Sequence, residues 1–264
     1  MNAVIATAAV APMLAAAAVR AEQASQLILG ETARVLENSG DWLRIRSDVD
    51  AYEGWVHRGY VRAVSEADAG RWRREATAWS DGARVDSDDV ERPVPLRARV
   101  VLDGDVVILP DGGRGRLVNG AIGAAEAVRA AARARPAERW ALERFGGSAY
   151  QWGGLTPWGV DCSGLVQTSF LARGVVVPRD SSDQALFGDP VAPDEARPGD
   201  LLFFRSESGA PAITHVAFAA AGEMLIHSTI ACGGVVHESF APGSRAGEML
   251  RPRLVAARRY PREV

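Results

Sequence analysis

The sequence predicts an α+β chain in which two small β-barrels precede a larger mixed domain. Residues 1–130 break into short apolar or alternating runs separated by turn residues, as small barrels require. Near Pro136 the pattern changes to a helix, with proline in its first turn and Gly146-Gly147 at its end. Leu201-Leu202-Phe203-Phe204, Ile213-Thr214-His215-Val216-Ala217-Phe218 and Met224-Leu225-Ile226-His227-Ser228 then return to strand character. At 264 residues the chain can hold two or three domains, read here as 1–64, 65–130 and 131–264.

In order, strands are expected at Val4-Ala9, Ser25-Leu29, Ala33-Glu37, Trp42-Arg46 and Glu53-His57, punctuated by Asn38-Ser39-Gly40 and Asp48-Val49-Asp50. Glu66–Ala78 reads as a linker or a short helix. Further strands are expected at Val94-Leu96, Ala98-Leu102, Asp105-Leu109 and Gly115-Val118, with Asp103-Gly104 as a two-residue hairpin loop. Ala124–Arg135 and Pro136–Phe145 are helical, Asp161 caps a helix running toward Gly174, and Arg179–Gln184 is a short capped helix.

Composition narrows the function. The chain is 47% apolar and 24% charged, as expected of a soluble globular protein. All 30 basic residues are arginine and the 33 acids outnumber them, which argues against a nucleic-acid partner. Two cysteines form no disulfide framework, although one bridge between Cys162 and Cys232 would silence a reactive thiol. Neither they nor the four histidines show zinc-ligand spacing, so no metal or cofactor is expected. The alanine-rich run Asn2–Val19 imitates a secretory signal, but it has no Lys or Arg in its n-region and Pro12 interrupts it. It is too weakly hydrophobic for a membrane span. It is therefore assigned to the first domain, which favours the cytoplasm and leaves export as the alternative.

The chemistry gathers after Gly153-Gly154. Cys162 stands in the first turn of an apolar-periodic helix, where the positive end of the dipole favours a thiolate. A nucleophile and a cysteine buried for packing are both open at this point. His215 and His227 sit in two apolar strands joined by a short turn, a hairpin able to place their imidazoles side by side. A cysteine nucleophile needs such a base and a third group to orient it. His57, His237 and Cys232 have no comparable context and read as structural, solvated or incidental.

These residues carry two resemblances. Asp41-Trp42-Leu43-Arg44-Ile45-Arg46 followed by Tyr52-Glu53-Gly54-Trp55-Val56 resembles the bacterial SH3-like domains attached to cell-wall enzymes. Tyr150-Gln151-Trp152-Gly153-Gly154, Asp161-Cys162-Ser163-Gly164-Leu165-Val166-Gln167, Pro178-Arg179-Asp180, Pro198-Gly199-Asp200, Thr214-His215-Val216 and Ile226-His227-Ser228 resemble, in order, the NlpC-type cell-wall cysteine peptidases. The resemblance implies a papain-like domain after two SH3-like barrels, with Cys162 as nucleophile, His215 as general base and acid, and His227 as the orienting member. It implies hydrolysis of the γ-D-glutamyl–diamino acid bond in murein peptides carrying a free N-terminal L-Ala. Substrate contacts are implied for Tyr150, Asp161, Ser163, Ser181 and Tyr52, the last on one wall of the amine pocket. Asp161 and Ser181 also read as plain helix caps, and Tyr52 as a hairpin packing residue. A non-catalytic wall-binding protein, or an amidase or acyltransferase of the same superfamily, is the alternative. No membrane partner is expected, and a monomer is favoured.

Overall fold

Strand β1 (Ala3–Ala6) is buried along its whole length because apolar clusters cover both of its faces. Val4 and Ala6 join Met13, Leu27, Leu43, Ile45 and Val56 in one cluster. Ala3 and Ile5 join Val64, Ala69 and Trp72 in another. This follows from the period-two alternation of a strand and explains a run with no polar residue in it. The computed structural model describes residues 2–207 and 211–261, and the chain divides into two compact units, Met1–Val128 and Arg129–Val264.

In the first unit, β1 is followed by β2 (Val10–Leu14), β3 (Gln23–Ile28), β4 (Thr32–Ser39), β5 (Trp42–Ser47), β6 (Glu53–His57) and β7 (Val61–Val64). They form an antiparallel sheet in the order β3-β2-β6-β5-β4-β1-β7. β2 and β7 lie outside the strands expected. β2 runs through Pro12, which faces Gln26 of β3, while β6 meets β2 only at Leu14; proline is tolerated where a strand is paired mainly on one side. The ambiguous segment after β7 is helix α1 (Glu66–Glu75), capped by the Ser65 side chain, which accepts from the Asp68 N–H.

The second sheet contains β8 (Ala78–Ser87), β9 (Val90–Val94), β10 (Arg99–Asp103), β11 (Val106–Ile108) and β12 (Arg114–Ala124). Its order is β10-β11-β12-β8-β9, and a further β10–β8 pairing closes it into a ring. Asp103 pairs with Val106, so the hairpin loop is Gly104-Asp105, one residue later than expected. Gly104 takes φ of 59° at the first loop position, which a type II′ turn reserves for glycine. The two sheets are joined through the β3–β4 turn. Trp72 Nε1 donates to the Gly30 carbonyl at 2.8 Å, and Arg97 pairs with Glu31 at 2.7 Å in a buried contact.

Helix α2 (Ala125–Arg133) leads to the second unit, which opens with α3 (Ala137–Phe145), β13 (Leu155–Thr156) and β14 (Gly159–Val160). Next come α4 (Cys162–Leu171), α5 (Ser181–Gln184), β15 (Asp189–Val191), β16 (Leu201–Arg205) and β17 (Ile213–Ala220). The unit ends with β18 (Met224–Thr229), β19 (Gly234–Ser239), α6 (Arg245–Leu250) and β20 (Leu254–Arg259). The sheet is antiparallel, in the order β15-β20-β16-β17-β18-β19. Every residue of α4 is buried, and its Phe170 stacks on Phe218 of β17 with ring centroids 6.1 Å apart. The other face packs Leu202, Phe204, Ala217 and Leu225 against Ala246 and Leu250 of α6. β15, α6 and β20 were not expected from the sequence.

Candidate active site

Helix α4 starts at Cys162 because Asp161 ties down everything around that turn. Asp161 Oδ1 accepts from the Gly164 N–H at 2.7 Å, the capping bond expected. Oδ2 accepts from the Gly153 N–H at 2.7 Å and from Arg179 Nη2 at 2.6 Å. Gly153 takes φ of 73°, and a Cβ at Gly164 would lie 2.1 Å from the Gly154 carbonyl. Glycine at both positions lets the loop press directly on the first helical turn. Ser163 Oγ accepts from Arg179 Nη1 at 2.8 Å and donates to Asp161 at 3.3 Å. Gln184 of α5 donates to the Ser163 carbonyl at 3.0 Å.

The Cys162 thiol is buried, and the backbone N–H groups of Val216 and Ser163 hydrogen-bond its sulfur. That contact sets the nucleophile candidate against β17, one residue past His215. Burial, then the Asp161 carboxylate, pushes the thiol up to about 12. Burial, followed by His227 and Arg253, lowers His215 to about 3. The site therefore pairs a neutral thiol with a neutral imidazole. This corrects the expectation of a thiolate drawn from the helix N-terminus: desolvation outweighs the dipole.

Period-two alternation places His215 and Ala217 on one face of β17, and Leu225 and His227 on the same face of β18. The two rings meet: His215 Nε2 is 2.8 Å from His227 Nδ1, with ring centroids 5.0 Å apart. His227 Nε2 lies 2.7 Å from Glu238 Oε1 on β19, where Glu238 is paired with Leu225. Arg245, the first residue of α6, also holds Glu238 Oε1 and donates to Cys232 Sγ at 2.8 Å. A cleft of about 330 Å³ beside the rings is lined by Tyr150, Thr214, His215, His227, Glu238 and Arg245, among others. Tyr150 is raised above the usual phenol range, first by burial and then by Cys162 and Asp161, so it remains an O–H donor.

The structure thus brings Cys162, His215, His227, Tyr150, Asp161 and Ser163 into one region. Ser181 opens α5, whose cap position belongs to Asp180, so Ser181 is not the cap residue. Tyr52 lies in the first unit, partly buried against the core of the first barrel. Sequence reasoning gave no part to Arg179, Glu238 or Arg245. Glu238 was legible in one respect, since alternation along Val236-His237-Glu238 turns it to the face opposite exposed His237. His57 Nδ1 accepts from the Gly59 N–H at 3.1 Å, a local cap. Both cysteines are free. Among the described residues no group of three or more His, Cys, Asp or Glu could hold a metal, and no helix is long and apolar enough to cross a membrane.

An antiparallel sheet carrying paired imidazoles, packed on a helix that starts with cysteine, is the papain-like arrangement expected. Residues 147–258 match the NlpC/P60 family, and residues 13–59 match the bacterial dipeptidyl-peptidase Sh3 domain. The second unit thus carries an NlpC/P60 domain, and the first an SH3 domain of the dipeptidyl-peptidase kind. The γ-D-glutamyl-L-lysine dipeptidyl-peptidase of Bacillus subtilis (strain 168) is 45% identical over 84 residues, 32% of this chain and 28% of that protein. The probable endopeptidase NlpC of Escherichia coli (strain K12) is 37% identical over 93 residues, 35% of this chain and 60% of that protein. The matched stretch spans only 25–28% of the length of the two dipeptidyl-peptidases. The crystal structure of an NlpC/P60 family protein from Bacillus cereus ATCC 10987 superposes with a TM-score of 0.80, covering 98% of this chain and 99% of that one. At 19% identity that likeness shows the fold.

Proposed function

We propose that this protein is a cysteine endopeptidase that hydrolyses the γ-D-glutamyl–diamino acid bond of murein peptides with a free N-terminal L-Ala. The observation that carries the reading is the Cys162 sulfur on the Val216 N–H, one residue past an imidazole already hydrogen-bonded to a second one. His215 takes the thiol proton as sulfur attacks the γ-carbonyl carbon, and Tyr150 O–H with the Cys162 N–H receives the oxyanion. The C–N bond breaks as His215 returns that proton to the leaving amine. Water then attacks the thioester while His215 accepts its proton, and sulfur departs as the restored thiol.

Substrate contacts are assigned to Tyr150, Asp161, Ser163, Ser181 and Tyr52. Tyr150 is supported by its place in the cleft lining. Asp161 already accepts from Gly153, Gly164, Ser163 and Arg179, so its first task is to hold the Cys162 turn. Ser181 and Tyr52 rest on the resemblance of their segments. The proposed setting is recycling of wall fragments in the cytoplasm. Cell fractionation tests the setting.

The reaction is tested with L-Ala-γ-D-Glu-L-Lys and L-Ala-γ-D-Glu-meso-diaminopimelate, products read by mass. The expected products are L-Ala-D-Glu and the free diamino acid, absent with Cys162→Ala. Equal cleavage by Cys162→Ala, or no cleavage of either peptide, overturns the reading.

A further inference from the structure

One face of the sheet presents a polar residue from each of three adjacent strands in line: His215 from β17, His227 from β18 and Glu238 from β19. The contacts run in line, 2.8 Å between the rings and 2.7 Å from His227 Nε2 to Glu238 Oε1. Arg245 closes the line on the same carboxylate oxygen. We propose that Glu238, held by Arg245, is a positioning residue that fixes the tautomers of both imidazoles and leaves Nδ1 of His215 unprotonated, able to take the Cys162 proton. The inference rests on Cys162 and His215 acting as nucleophile and base.

The argument is one of donors and acceptors. The His227 hydrogen bond, and after it the Arg245 contact, keeps the Glu238 carboxyl below the usual carboxylate range despite partial burial. An ionised carboxylate only accepts, so His227 Nε2 carries a hydrogen. Where His227 carries only that one hydrogen, its Nδ1 is an acceptor, and His215 Nε2 donates to it. His215 is neutral as well, so its remaining nitrogen, Nδ1, is unprotonated. That is the ring nitrogen free to receive the thiol proton. Without a fixed acceptor beyond His227 the chain runs equally well in reverse. His227 then donates to His215 Nε2, and Nδ1 of His215 carries a hydrogen and cannot act as base. Arg245 is the brace: it keeps the carboxylate charged and orients the oxygen that His227 uses.

Two readouts test this, one of them independent of catalysis. The ring ¹⁵N shifts of the four histidines in the full chain report tautomers directly. Both His215 and His227 are expected as Nε2–H forms in the native protein. Glu238→Leu, which can accept no hydrogen bond, is expected to give a mixture at both rings. Its kcat on L-Ala-γ-D-Glu-L-Lys is expected to fall roughly 10²-fold with KM nearly unchanged. Arg245→Leu, which leaves β19 intact, serves if Glu238→Leu does not fold, and is expected to show the same changes more weakly. Glu238→Asp is expected to restore part of kcat. Nδ1–H forms in the native protein overturn the proposal. So do unchanged tautomers in a folded variant, whether or not kcat falls. If the native enzyme cleaves no peptide, the proposed reaction fails while the tautomer spectrum still decides this point.

Discussion

Arg179 and Asp161 meet side by side at the first turn of the Cys162 helix, with Nη2 2.6 Å from Oδ2 and Nη1 3.2 Å from Oδ1. Both side chains are nearly inaccessible, at 1% and 9% exposure. A buried pair of this kind contributes little net stability while intact, but removing one partner strands the other charge. Asp161→Ala also removes the cap on Gly164 and the acceptor for Gly153. Urea unfolding is expected to show a loss of roughly 3–5 kcal/mol. Arg179→Met, which leaves Asp161 its backbone donors, is expected to cost less. Equal stability of Asp161→Ala and the parent would show that the pair does not hold this turn.

The neutral Cys162–His215 pair has a pH signature. Cys162 stands at about 12 against an ordinary 9.0, and His215 at about 3 against an ordinary 6.5. Between about 3 and 6.5 the unfolded chain binds more protons at His215, so stability rises with pH across that window. Between 9.0 and about 12 the folded chain keeps the Cys162 proton that the unfolded chain has lost, so stability falls as pH rises. Urea midpoints across pH are expected to show the acid slope weakened in His215→Gln and the alkaline slope weakened in Cys162→Ala. In a Cys232→Ser background, Cys162 alkylation by iodoacetamide is expected to keep accelerating above pH 8. A plateau beginning near pH 5 would instead reveal a standing thiolate.

The parts of this site that could be read from sequence are those with a strong local signal. Cys162 stands at a capped helix start behind a glycine loop, and His215 and His227 interrupt apolar strands that share a short turn. Glu238 was passed over because its role depends on cross-strand register: it lies opposite Leu225 and diagonal to His227. Arg179 needed the fold as well, since the chain returns to Asp161 only after all of α4. In the first unit, β2 was hidden by Pro12. β8 was hidden by a polar run through Gly82, which takes φ of 88°. α6 is a six-residue helix, too short for periodicity to declare itself.

Tyr150 is the donor most exposed to test. Its hydroxyl stays protonated through the working range because burial, first, and then Cys162 and Asp161 disfavour phenolate. An oxyanion donor is used in the transition state more than in the bound substrate. Tyr150→Phe is therefore expected to lower kcat on the tripeptide by roughly 10²-fold while KM changes little. A rise in KM with kcat intact would move Tyr150 from the oxyanion to substrate binding.

Within the first unit, the contact between the two sheets turns on Glu31 and Arg97. Their side chains are 4% and 5% exposed, and Arg97 Nη2 reaches Glu31 Oε1 at 2.7 Å. Glu31 Oε2 meanwhile accepts from the Ile28 N–H at 2.9 Å, so one carboxylate closes the β3–β4 turn and binds the second sheet. Arg97 holds φ of 72°, outside the ordinary range for a side-chain-bearing residue, and its N–H donates to the Ser80 carbonyl at 2.9 Å. Glu31→Ala takes this carboxylate from a buried guanidinium and leaves a backbone N–H without its acceptor, and is expected to cost roughly 3–5 kcal/mol in urea unfolding. Arg97→Gly removes the strained side chain together with the charge. Combined with Glu31→Gln, which preserves the turn acceptor, it is expected to recover a substantial part of that loss. If the double variant is as unstable as Glu31→Ala, the penalty belongs to the β3–β4 turn alone and the ion pair does not join the sheets.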